Sequence, residues 1–143
     1  MDILKIILNL FIKKQIKVVD TLQINGDDVR KLLTPYTTNL WISDGAFKTI
    51  NTENLKEFLN SDDVSNRRYI NEVHDCDNFA YELEGRVSYW CGGAFGIVWG
   101  LTTNGGAHAW NFYIDENKTV KYVEPQTDIV FEPTTEKIWI MII

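Results

Sequence analysis

Cysteine and histidine are scarce in this chain, with two of each in 143 residues, and each scarcity excludes something. Two cysteines are too few for the disulfide scaffold of a small secreted domain, so a reducing, cytoplasmic compartment is expected. Cys91 and His74 have no paired partner at ligand spacing, which argues against a zinc site. Basic residues are outnumbered, with 14 Lys and Arg against 20 Asp and Glu. The resulting net charge of -6 repels phosphate backbones and argues against a nucleic-acid partner. No apolar run reaches membrane length. The stretch 3–12 is interrupted by Lys5 and Asn9, lacks the positive start and small-residue end of a signal peptide, and reads as an apolar helix. That helix is expected in the core or in a homodimer contact rather than inserted in a membrane. Repeats and Pro/Gly linkers are absent, so a single domain is expected, a helical N-terminal extension over 1–35 followed by a core over 36–143.

Apolar residues make up 45% of the chain and include five Trp, enough to fill a core of that size. Residues 16–24 read as a short strand or extended connection. Asp27 or Asp28 can cap a helix over Val29–Leu33, which Pro35 ends, and Asn51 or Thr52 can cap one over 52–59. A third helix is expected over Asp75–Leu83, with Phe79, Ala80 and Leu83 on one face. Strands follow: Ile97–Leu101, Ala107–Ile114, its hairpin partner Thr119–Val123 across the turn 115–118, and a central closing strand over 137–143. Helices first and antiparallel strands after is an α+β pattern.

Cys76 lies at the expected N-terminus of the third helix, where unpaired N–H groups and the helix dipole stabilise a thiolate and can hold an oxyanion. A small buried core residue is the structural alternative. His108 follows the glycine turn 104–106 at the start of a rigid strand. The hairpin returns Glu124 to the end of the partner strand, where a carboxylate would orient His108. The residues read together as a nucleophile (Cys76), a general base (His108) and an orienting acid (Glu124).

Three blocks carry a resemblance: Asp-Cys-Asp-Asn-Phe-Ala at 75–80, Gly-Gly-Ala-His-Ala-Trp-Asn-Phe at 105–112, and Tyr-Val-Glu-Pro-Gln-Thr at 122–127. Over roughly 36–143 the chain resembles the papain-like C-terminal protease domain of the Marasmius oreades agglutinin and its stand-alone phage and bacterial relatives. The resemblance implies a papain-like fold with helices packed on an antiparallel sheet. It also implies a Cys76-His108-Glu124 triad, a peptide or isopeptide substrate contacted by Gln126, and activation by Ca²⁺. No β-trefoil half is expected here, so carbohydrate binding does not carry over. Transglutaminase-like domains also read His-Ala-Trp on a strand, which keeps acyl transfer open, and a non-catalytic peptide- or partner-binding module is the remaining alternative.

A Ca²⁺ ion would take oxygens from Asp75 and Asp77, with Asp44, Glu72 and Asn78 as further donors; the competing role for the first two is helix capping. No organic cofactor is expected. His74 is expected to be exposed. Trp41, just before the turn 43–45, is expected to border the cleft, whereas the aromatics near 89–99, Trp110 and Trp139 are expected in the core.

Overall fold

The computed structural model describes residues 22–143. The helix expected over 3–12 and the dimer contact placed on it lie outside those residues, as does most of the 16–24 segment. The described elements are β1 (Gln23–Asn25), α1 (Gly26–Leu33), β2 (Leu40–Trp41), β3 (Ala46–Lys48), α2 (Thr52–Ser61), a 3-10 turn (Val64–Asn66), α3 (Cys76–Cys91), β4 (Phe95–Leu101), β5 (Ala107–Ile114), β6 (Val120–Glu124), β7 (Ile129–Phe131) and β8 (Lys137–Ile142). The fold is mixed α+β, with the helices early and the long strands late.

Local chemistry sets the helix starts. The Asp28 N–H donates to Asn25 Oδ1 at 2.8 Å, so Asn25, rather than Asp27 or Asp28, caps α1. Asn51 caps α2 by accepting from the Asn54 N–H at 3.1 Å. At the head of α3 the Asp75 N–H donates to Asn78 Oδ1 at 3.1 Å. This helix runs beyond Leu83 to Cys91 and stops at Gly92, whose φ of 58° supplies the left-handed end. Phe79, Ala80, Leu83 and Val87 form its buried stripe.

The six-stranded sheet has the order β2-β8-β4-β5-β6-β7, antiparallel except where β2 meets β8. β8 is interior, as expected. The two-residue alternation of β5 divides the core. Trp110, Phe112 and Ile114 join Val98, Tyr122 and Met141 beneath Val29 and Leu33 of α1. On the other face, Phe95, Tyr113 and Val123 pack under α2 and α3 through Leu55, Leu59, Phe79, Leu83 and Val87. β5 is therefore buried on both faces from Ala109 onward.

Asn111 fixes how α3 lies on the sheet, and Gly96 lets the neighbouring strands close around it. Asn111 is fully buried, and its Nδ2 donates to the carbonyls of Ala80 (2.9 Å) and Gly96 (3.1 Å), tying helix to strand. At Gly96 a Cβ would come within 2.2 Å of the Ile142 carbonyl and 2.7 Å of the Phe112 ring, so β4 tolerates no side chain there.

Candidate functional site

His108 is the second residue of β5 and Glu124 the last of β6. The β5–β6 register pairs Asn111 with Val123 and Phe112 with Tyr122. Continued by one row, it brings Glu124 level with Trp110, diagonal to His108 on the same face. His108 Nε2 and Glu124 Oε2 lie 2.6 Å apart, each side chain about one-fifth exposed (20% and 22%). Glu124 Oε1 accepts the Gln126 backbone N–H at 3.1 Å, which fixes the carboxylate from its other side. The imidazole is stacked on Trp110, with ring centroids 5.7 Å apart. If Nε2 carries the proton to Glu124, the neutral ring leaves Nδ1 as an acceptor. A small cleft of about 150 Å³ opens over the pair, bordered also by Thr102, Thr103, Phe131 and Glu136.

The structure does not hydrogen-bond Cys76 to this pair. Cys76 opens α3 as a half-buried free thiol and packs with Ala80, Ile97, Ala109 and Trp99. Ala109 faces α3, whereas its neighbour His108 shares the opposite face with Trp110. Among the described residues the side-chain hydrogen bond of His108 goes to Glu124, and none reaches Cys76.

Asp75, Cys76 and Asp77 bring ligand atoms within 4.8 Å of one another. The Asp75 side chain, hydrogen-bonded to Asp77, pushes the Asp77 carboxyl above its ordinary value, while the same bond holds Asp75 below its own. Two carboxylates give a hard cation a foothold but fall short of the six or more oxygens that Ca²⁺ takes, and a thiol is a poor ligand for it. Asp44 is not in this group. It sits beside Asn25, Gly26, Asp27 and Arg30 at the head of α1.

The remaining expectations separate. Gln126 is adjacent to the pair and acts there through its backbone N–H. Trp41 is 68% exposed but does not border the cleft. The sheet register carries it through Ile142 and Ile97 to Asn111, three residues along β5 from His108. With three strand spacings between, that is a separation of roughly 17 Å. His74 is only half-exposed, with its ring against Phe79 and Nε2 3.7 Å from Glu82. Phe95 and Trp110 are core residues as expected, but Tyr89 is 96% exposed. The lining residues Phe131 and Glu136 gave no sequence signal: β7 is only three residues long, and Glu136 lies in the loop before β8.

The profile of the agglutinin C-terminal family matches residues 47–130. No curated protein sequence matches the chain. Among solved structures, a PSL1a–E64 complex has a TM-score of 0.74 at 20% identity, covering 85% of this chain and 51% of the other. Polyporus squamosus lectin bound to the human-type influenza-binding epitope Neu5Acα2-6Galβ1-4GlcNAc has a TM-score of 0.72 at 22% identity, covering 85% and 50%. The chain thus spans about half the length of the structures it matches. The expectation of a cysteine hydrolase, and with it the protease and acyl-transfer readings, is overturned by these matches: the family is an agglutinin one, and the fold is matched by a Polyporus squamosus lectin. The helix head that was expected to activate Cys76 sets its thiol against an apolar cluster, with no hydrogen bond to His108 among the described residues. Among the described residues no helix is long and apolar enough to cross a membrane.

Proposed function

We propose, from the premise that the chain belongs to the agglutinin C-terminal family, that it is a non-catalytic, lectin-like binding domain on a papain-like scaffold. Its recognition site is the His108–Glu124 cleft. The observation that carries this reading is the 2.6 Å contact of two polar, partly exposed side chains on rigid adjacent strands, buttressed by Trp110 and the Gln126 N–H. Rigid polar groups at the mouth of a small cleft orient a ligand without paying for their own ordering. The cleft offers carboxylate and imidazole acceptors beside Thr hydroxyls and the Phe131 face, a set suited to the hydroxyls of a glycan.

The helices packed over a mostly antiparallel sheet, with Cys76 at a helix head and His108 on a strand, support the papain-like assignment of the scaffold. The thiol position then serves packing. A hard cation at the head of α3 would be held by Asp75 and Asp77 without Asp44, with water completing its shell.

The test is glycan-array binding by the whole chain, beside His108→Ala and Glu124→Ala variants, with the glycans and a peptide library re-examined by mass spectrometry after incubation. Binding that falls at least tenfold in both variants, with every ligand recovered unchanged, is the expected result. Equal binding by the variants would remove the cleft from the reading, and ligand turnover that disappears in Cys76→Ala would overturn the non-catalytic assignment.

A further inference from the structure

A second concavity, larger than the His108 cleft at about 440 Å³, lies between the C-terminal halves of α2 and α3. Gly85, in the middle of α3, lines it. A mid-helix glycine is the costliest ordinary choice after proline, and packing does not require this one, since a Cβ at Gly85 would meet nothing within 4 Å. Its effect is to leave the groove open. One wall is Tyr89, one turn further along α3 and 96% exposed. The other is Trp90 stacked on Phe58, with centroids 4.6 Å apart and planes at 19°. Such an exposed aromatic surface over a backbone notch offers flat apolar faces to a ring.

The polar groups define what that ring must carry. Arg86 donates from Nη1 to Asp62 and Asp63 and from Nη2 to Glu82. Of its five N–H groups, Nε–H and one Nη2–H remain unspent among these contacts. Ser61 donates its hydroxyl to the Phe58 carbonyl, which leaves its oxygen as an acceptor. The Asp62 carboxylate is only 6% exposed and already accepts from Arg86 and from the Val64 N–H. Around the groove two guanidiniums, Arg67 and Arg86, face three carboxylates, Asp62, Asp63 and Glu82. The balance is slightly negative, so an anionic ligand gains nothing from Arg86. A neutral secondary amide matches the free set: its carbonyl accepts from Arg86, its N–H donates to Ser61, and its methyl meets the Phe58–Trp90 stack. We propose that this groove binds a neutral acetamido sugar ring, seated over Gly85 and against Tyr89, as a second site independent of His108 and Glu124.

A concavity of about 440 Å³ has room for one ring and its acetamido group, and an extended peptide is made an outcome of the test. The intact ¹⁵N-labelled chain is titrated with methyl N-acetyl-β-glucosaminide, methyl β-glucoside, N-acetylneuraminic acid and N-acetylphenylalanine amide. The acetamido sugar should shift the Trp90 indole and Arg86 Nε–H resonances, with the glucoside roughly tenfold weaker, as expected for losing a charge-assisted hydrogen bond. Gly85→Gln, which fills the notch with a good helix former, and Tyr89→Ala should each abolish those shifts while circular dichroism stays unchanged. His108→Ala should leave them intact, which separates this site from the cleft. Unmoved Trp90 and Arg86 signals, equal binding by Gly85→Gln, or stronger binding of the charged sugar or the peptide amide would overturn the proposal.

Discussion

His108 Nε2 and Glu124 Oε2 meet at 2.6 Å across adjacent strands, and both side chains are mostly buried. A contact of this kind, with one partner ionised, contributes about 1.5–3 kcal/mol. Glu124→Ala should therefore lower the stability of the chain by that order, because the Gln126 N–H loses its acceptor as well. Glu124→Gln, which keeps an oxygen for that N–H, should cost less. Urea unfolding at neutral pH decides it; equal midpoints for the Ala variant and the parent would show that the pair adds no stability.

Acid should weaken the ion network on the outer side of α3. The Arg67 guanidinium, hydrogen-bonded to Glu82, holds that carboxyl below its ordinary value. A depressed carboxylate contributes stability that is present above its unfolded pKa, about 4.3, and is lost as pH falls through the folded value below that. Glu82→Gln should therefore be less stable than the parent at neutral pH and should show a flatter acid limb. Denaturation midpoints measured from about pH 5 down to about pH 3 read this directly. Parallel acid limbs would remove Glu82 from the account.

Asp77 carries the opposite sign. Its carboxyl is raised through the bond to Asp75, so the folded chain holds that proton more tightly than the unfolded one does. The associated stability is present below the unfolded pKa, near 3.9, and is lost as pH rises through the folded value. Asp77→Asn should accordingly be more stable than the parent at pH 7. Millimolar Ca²⁺ should raise the melting temperature of the parent at that pH by mass action and leave Asp77→Asn unchanged. An equal calcium response in both would move the ion away from the head of α3.

Two glycines should respond in opposite directions to alanine. Gly85→Ala adds a methyl where nothing lies within 4 Å and should stabilise α3 by up to about 1 kcal/mol. Gly96→Ala drives a methyl into the Ile142 carbonyl and the Phe112 ring and should cost about 3 kcal/mol or prevent folding. Thermal melts of the pair check both signs at once.

Asn111 should tolerate no replacement that leaves the Ala80 and Gly96 carbonyls unpaired. Asn111→Ala is expected to cost about 2–3 kcal/mol, and Asn111→Asp more, since it buries a charge in place of a donor. A native-like midpoint for the Asp variant would show that the site admits water.

The elements most legible in the sequence were those held by local chemistry. β5 was expected over Ala107–Ile114, and those are its observed bounds. The Asn51 cap of α2 and the hairpin to β6 follow the same logic of caps and turns. The C-terminal half of α3 was not legible, because Gly85 and the aromatic run after it resemble a loop until Val87 is seen to fall under the sheet. β2 and β3 are two or three residues long and exist only through partners distant in sequence, and β7 is a three-residue return after the turn that follows β6. In the candidate site the His108–Glu124 pairing followed from hairpin geometry. The relation of Cys76 to it did not, because no local pattern tells which face of the sheet a helix will cover. Trp41 misled for a related reason: its proximity to a turn said nothing about its row in the sheet.

The two borders of the main sheet are its shortest strands, Leu40–Trp41 and Ile129–Phe131. A neighbouring chain that tried to extend the sheet would find backbone for only a few hydrogen bonds before the template ran out. The long strands β4, β5 and β8 each have a neighbouring strand on both sides. Short borders of this kind limit strand-by-strand addition at the described edges of the sheet.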